Sequence, residues 1–230
     1  MISIDTVYQR VLAILNKEQR GFVTPQQFNL YANQAQLDIF KSYFYDLEYY
    51  LNLPGNDTVV ADMVNILETK ISYFEKEDND PGYNDPYFSL PTDNYRIRTV
   101  HNNGDVAQRA TLREFLDIQR SKLASPTDEF PIYTESNLGI KVLGADLFTD
   151  TDDVTFLYIK KPDTAEWAYT SVLGTEVYNA NNSTDFELEP EEETELTIKI
   201  LALAGLEVKD LSVYEVANRE DLTEQQIKKQ

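Results

Sequence analysis

The stretch GFVTPQQFNLYANQAQLDIF, residues 21–40, constrains the fold more than any other part of the chain. Thr24 before Pro25 is a helix start, because a hydroxyl caps free backbone N–H groups and proline lacks the N–H that the first turn leaves unpaired. The helical pattern runs from Pro25 to about Leu51, ~39 Å at 1.5 Å per residue, where Leu53-Pro54-Gly55-Asn56-Asp57 stops it. Gln26, Gln27, Asn29, Asn33, Gln34 and Gln36 stand where a surface helix usually carries Lys and Glu. Advancing about 100° per residue, Phe28, Ala32, Ala35, Ile39 and Tyr43 form one apolar stripe. Leu30, Leu37, Phe44 and Leu51 form a second on the opposite side, and Asn29, Asn33 and Gln36 lie between them. A helix packed on one core needs one stripe; two opposed stripes need two partners. The projection leaves two sources open: other helices of the same chain, or a neighbouring subunit, where amides hydrogen-bond without the desolvation cost of charge.

The other elements follow from periodicity and punctuation. Residues 4–16 read as a helix through Ile4, Tyr8, Val11 and Leu15. A third helix is expected over about 58–76, with Val60, Met63, Val64, Leu67, Ile71 and Phe74 on one side. EKEDNDPGYNDPYFSLP (75–91) is acidic and turn-rich and reads as a loop. Tyr95–His101 alternates as a strand that ends in an Asn-Asn-Gly-Asp turn. Thr111 and Glu114 form a capping box opening a short helix to about Leu123. Strands are expected at Phe130–Thr134, Gly139–Leu143 and Val154–Lys160, with a shorter one at Phe186–Leu188. Pro190 followed by three glutamates starts a helix, since carboxylates favour the positive end of its dipole; Gly205 is its expected stop, and a polar helical tail follows over about 212–230. The expected class is α+β: a helical bundle, of three N-terminal helices plus C-terminal helices, with a small antiparallel β-rich insertion. The corresponding division is 1–77 for the N-terminal bundle, 78–189 for the insertion, and 190–230 for a C-terminal helix and tail packing on the bundle or on a partner ring.

Charge and composition exclude several function classes. The net charge is −20, concentrated as −12 over residues 146–198, and no segment is a basic footprint for nucleic acid. Five of the eight arginines, Arg96, Arg98, Arg109, Arg113 and Arg120, fall in the one near-neutral segment, 95–145. They could fork onto carboxylates of a neighbouring copy or of the same chain. The chain has no cysteine, so no disulfide or thiolate site is expected. There is no apolar run near the ~20 residues that span a bilayer, and MISIDTVYQR has neither the basic nor the apolar region of a signal peptide.

Chemistry is sparse. His101 is the single histidine, without a second histidine or a cysteine to complete a metal site. The loops EDNDPGYNDP and DLFTDTDD could hold calcium, but both miss the EF-hand pattern: with Gly82 at the glycine position the last ligand falls on Phe88, and Asp150 and Asp152 put Val154 at a ligand position. No phosphate-binding glycine motif or nucleophile elbow occurs. Trp167 beside a turn reads as packing at a strand end or as a sugar or peptide platform. No catalytic, cofactor or metal residue is assigned, and no enzymatic activity is expected.

The order VYQRVLAILNKEQRGFVTPQQFNLYANQAQLDIF, LPTDNYRIRTV, SPTDEFPIYTE, VTFLYIKKPDTAEW and FELEPEEETELTIKILALAGLEVKD…EQQIKKQ resembles virion proteins of tailed phages, in particular the head–tail connector, or neck-ring adaptor, proteins of crAss-like and related short-tailed phages. The resemblance implies a non-enzymatic ring of about twelve copies below the portal, contacting portal protein and adjacent neck or tail rings, with DNA passing through without specific binding. It implies assembly in host cytoplasm, residence in the virion, and no membrane. Candidate subunit-interface residues are Leu30, Leu37, Phe44, Arg96, Arg98, Arg113 and Arg120; candidate portal contacts in the tail are Leu222, Gln225 and Ile227. The alternatives are another tail or head-completion protein, or a non-enzymatic calcium- or carbohydrate-binding module.

Overall fold

The computed structural model describes residues 1–17, 23–53, 58–121, 123–127, 129–144, 154–173 and 175–207. The chain is a mixed α+β protein of two units, one of Met1–Lys70 with the chain from Pro162 onward, the other of Ile71–Lys161. The second unit thus begins before, and ends well short of, the 78–189 expected for the β-rich insertion. Residues 162–189 go with the helices instead, because hydrogen bonds to α2 (below) hold them there.

In the first unit, α1 (Ile4–Lys17), α2 (Pro25–Leu51) and α3 (Thr58–Ser72) follow one another, and α5 (Glu193–Glu207) packs against α1 and α2. The α2 start is a full capping box: the Thr24 hydroxyl accepts from the Gln27 N–H at 3.3 Å, and Gln27 Oε1 accepts from the Thr24 N–H at 3.0 Å. Phe28, Ala32, Ala35, Ile39 and Tyr43 are all buried, so the first stripe is the core stripe. A 3₁₀ turn at Pro190–Glu192 precedes α5, which runs through Gly205 to Glu207 rather than stopping at the glycine.

The unit also contains a hairpin that alternation did not reveal. Among the described residues β10 (Tyr169–Val172) and β11 (Thr175–Tyr178) pair with each other alone, and every described residue from Thr170 to Val177 is exposed. With neither face buried, no period-2 pattern marks the ribbon. Phe186, expected in a short strand, makes only an isolated bridge to Ile2.

The second unit holds two sheets. One has the order β1–β9–β4–β5, from Glu75–Asp78, Val154–Lys160, Asn94–Asn102 and Asp105–Val106, all antiparallel. The other has the order β2–β3–β8–β7–β6, from Tyr83–Asn84, Tyr87–Phe88, Gly139–Leu143, Ile132–Ser136 and Gln108–Arg109; its β6–β7 pair is parallel, so the unit is not purely antiparallel. Phe88, Val100, Ile140, Val154 and Phe156 form a common core, and α4 (Leu112–Arg120) lays Phe115 onto Ile132 and Leu143. Asn103 (φ +52°) and Gly104 (φ +90°) make the β4–β5 turn that the Asn-Gly pair announces. Gly139 is fixed by geometry, since its φ is +133° and a Cβ would lie 2.2 Å from the Phe88 carbonyl oxygen.

Several boundaries move. The third helix ends at Ser72, not Lys76, because Glu75–Asp78 pairs with β9 from Ile159 to Phe156. The expected loop 75–91 therefore contains three short strands, Glu75–Asp78, Tyr83–Asn84 and Tyr87–Phe88. The helix expected to reach Leu123 ends at Arg120, and the strand expected at Phe130–Thr134 is Ile132–Ser136.

Candidate functional site

The amides of α2 have a specific use. Asn29, Asn33 and Gln36 form a column with spacings of four and three residues, a rise of about 6 and 4.5 Å. Alternate residues of an extended chain recur every ~6.6 Å and present N–H and C=O to the same side. The two spacings match across residues 163–167, which run antiparallel to the helix. Asn29 Nδ2 donates to the Trp167 carbonyl at 3.3 Å, and its Oδ1 accepts from the Trp167 N–H at 2.9 Å. Asn33 repeats this with Ala165, at 2.8 and 2.9 Å. Gln36 donates to the Asp163 carbonyl at 2.8 Å and accepts from the Glu187 N–H at 3.1 Å. A carboxamide offers one donor and one acceptor face, as a peptide does, so the column serves as a neighbouring strand made of side chains. Lys or Glu supplies only half of that. The intervening residue, Glu166, turns the other way and exchanges both backbone bonds with Thr184, at 3.0 and 2.9 Å. The amide column was legible in the sequence; its partner, more than 120 residues away, was not. The remaining amides act locally: Gln27 completes the cap, Gln26 reaches Tyr169, and exposed Gln34 bonds Asp38 at 2.8 Å.

Trp167 ends this strap and is 3% exposed, so it is a packing residue rather than an open sugar platform. Its indole N–H donates to Asp5 at 2.9 Å, Tyr8 lies 4.3 Å from it ring to ring, and Tyr178 stacks at 5.5 Å. The Tyr8 phenol is pushed up to about 12, by burial first and then by the Glu176 carboxylate. In the other unit Tyr158 is likewise pushed up to about 12, by burial and by its hydrogen bond to Asp93. Both folded values lie above the ordinary 10.0. The stabilisation from keeping these phenols neutral is therefore complete below pH 10 and lost as pH rises through about 12. Denaturant titrations across that window are expected to show falling stability, and Tyr8→Phe with Tyr158→Phe should flatten the fall.

The second stripe of α2 divides. Leu30 and Leu51 are 72% and 63% exposed, while Leu37 and Phe44 are half-buried, Phe44 edge-on to Phe40 at 5.1 Å. The arginines also divide. Arg98, still exposed, pairs with Glu75, and Arg109 with Glu135 at 3.1 Å. Arg96, Arg113 and Arg120 are exposed and make no ion pair among the described residues. Leu222, Gln225 and Ile227 lie outside the described residues, as does the acidic loop 146–153.

Among the described residues one ion pair has a buried carboxylate. Lys70 Nζ meets Glu192 beside a cleft of about 280 Å³ shared by α2, α3 and α5, and Lys70 also lies over the Tyr43 ring at 5.6 Å. The Tyr43 phenol is pushed well above its ordinary value, by burial first and then by Glu192 and neighbouring glutamates. His101 lies half-buried within β4, opposite Val106 and Thr155. Among the described residues no group of three or more His, Cys, Asp or Glu side chains is placed to hold a metal ion, and no helix is long and apolar enough to cross a membrane. No family model matches the chain, and no curated protein matches it.

Proposed function

We propose that this chain is a structural virion protein that forms a ring in the head–tail connector of a tailed phage, below the portal, where it continues the DNA conduit and links capsid to tail. The observation that carries the reading is the outer stripe of α2. A helix whose core stripe and amide column are already satisfied within the chain still exposes Leu30 and Leu51 in line with half-buried Leu37 and Phe44. Such a stripe is suited to burial against another copy. The sequence resemblance supplies the particle. A copy number near twelve, contacts with portal through Leu222, Gln225 and Ile227, and contacts with the next ring belong to the same proposal. The net charge of −20 suits a conduit that DNA must slide through, since a wall of that sign repels phosphate rather than gripping it.

Mass photometry and negative-stain microscopy, with the protein alone at high concentration and with portal, are expected to show closed rings. A protein that stays monomeric in both settings sinks the reading. Leu30→Asp with Leu51→Asp is expected to abolish assembly while changing monomer stability by no more than about 0.5 kcal/mol per exposed site. A particle map that places the chain elsewhere in the tail or at head completion would favour the alternative virion role.

A further inference from the structure

Between α1 and the β10–β11 ribbon lies an open cleft of about 590 Å³, with Tyr8, Leu12, Trp167 and Tyr178 as its apolar and aromatic walls and Glu176 on it. Glu176 is exposed and makes no ion pair or hydrogen bond among the described residues. Tyr8 and Trp167 are buried and pack on one another, so the cleft offers an apolar wall beside the exposed Glu176 carboxylate, onto which a guanidinium can fork. The ribbon beside the cleft also lacks cover. Among the described residues it is two strands with no third neighbour, and Val172, Leu173 and Val177 are 51%, 102% and 48% exposed. A ribbon of this kind is marginal in water on its own, and its open edges invite a partner.

The complementary surface is on the chain itself. α4 turns Phe115 inward, and Ile118 packs on the same cluster. On its other side Leu112 and Leu116, 61% and 42% exposed, share an arc of about 100° with Arg113 and Arg120. Both arginines are exposed and without an ion pair among the described residues, on a chain of net charge −20. A cationic, leucine-bearing strip and an acidic, aromatic cleft are matched in charge and in apolar character.

We propose that the cleft between α1 and the ribbon is a docking site for a second copy of this chain, which presents the Leu112–Arg113–Leu116–Arg120 face of α4 to Glu176 and the exposed valines and leucine of the ribbon. This rests on the ring reading and assigns one of its contacts. The contact is heterologous, cleft to strip, so it repeats from copy to copy and closes when the rotation allows.

The test is a charge swap in the full chain, read by sedimentation velocity and mass photometry. Glu176→Arg alone sets arginine against arginine, and Arg113→Glu with Arg120→Glu sets glutamate against glutamate. Each is expected to weaken association at least about tenfold, as one desolvated charge pair can, with an unchanged thermal midpoint because all three sites are exposed. Mixing the two variants is expected to restore assembly, since alternating copies then meet only opposite charges. If wild type assembles and either variant assembles as well as it does, or if the mixture fails to recover, the docking proposal is overturned while the ring reading stands. Wild type that never associates, alone or with portal, overturns both.

Discussion

Replacing Asn29 and Asn33 together by leucine is expected to lower stability by at least about 4 kcal/mol, at roughly 1 kcal/mol for each of four orphaned backbone groups. Those groups are the N–H and C=O of Ala165 and of Trp167, which these two side chains satisfy. Ala165 and Trp167 are 0% and 3% exposed, so water cannot replace the lost bonds without the strap lifting off α2. For a chain of this size the thermal midpoint should fall by about 8–16 °C. Gln34→Leu is the internal control: its amide is exposed and, among the described residues, bonds Asp38 alone, so its effect should stay within about 0.5 kcal/mol. Equal effects from the double variant and the control would mean that the amide column is ordinary helix surface.

The second large effect is expected at Lys70. Lys70→Met leaves the Glu192 carboxylate, only 5% exposed, without its cation. Removing one partner of a buried pair typically costs about 3–5 kcal/mol, because the remaining charge stays desolvated. Tyr43 cannot compensate; its phenol offers one hydrogen bond and no charge. Lys70→Met with Glu192→Leu should recover most of the loss, because an apolar pair of similar volume can replace a buried ion pair at little cost. Chemical denaturation of the wild type, both single variants and the double variant gives the coupling directly. Additive losses would show that the two groups do not act as a pair. Recovery in the double variant would also imply that the pair contributes placement of α3 against the 3₁₀ turn before α5 more than net stability.

The sequence was a good guide wherever a local rule governed. The helix from Pro25 to Leu51 follows from a cap, a proline and an apolar period, and the structure reproduces both ends. Gly139–Leu143 and Val154–Lys160 are strands with the expected bounds, because turn residues flank runs that fit a pleated, buried surface. The failures share a cause. Glu75–Asp78 reads as loop because it is an edge strand of four charged residues, none of them buried; only pairing with β9, about 80 residues later, makes it a strand. No described residue from Thr170 to Val177 is buried, so the ribbon carries no pattern to detect.

At the candidate surfaces, the α2 projection separated a core stripe, an outer stripe and an amide column from residue order alone. It left open whether the amides and the outer stripe serve this chain or another. For the amides the tertiary structure decides: they bind this chain's own backbone at 163–167. For the arginines it decides in part, placing Arg98 and Arg109 in intrachain pairs and leaving Arg96, Arg113 and Arg120 without one among the described residues. What the sequence by itself determined were the properties set by neighbours within a turn or two: caps, periods, turns and the sign of each segment's charge. Which carboxamide meets which peptide, and whether Arg98 and Arg109 meet Glu75 and Glu135, depends on contacts between residues more than a hundred positions apart in the first case and more than twenty in the second. Only the folded backbone brings those groups within hydrogen-bond range, where the cost of leaving a buried donor or charge unpaired selects the partner.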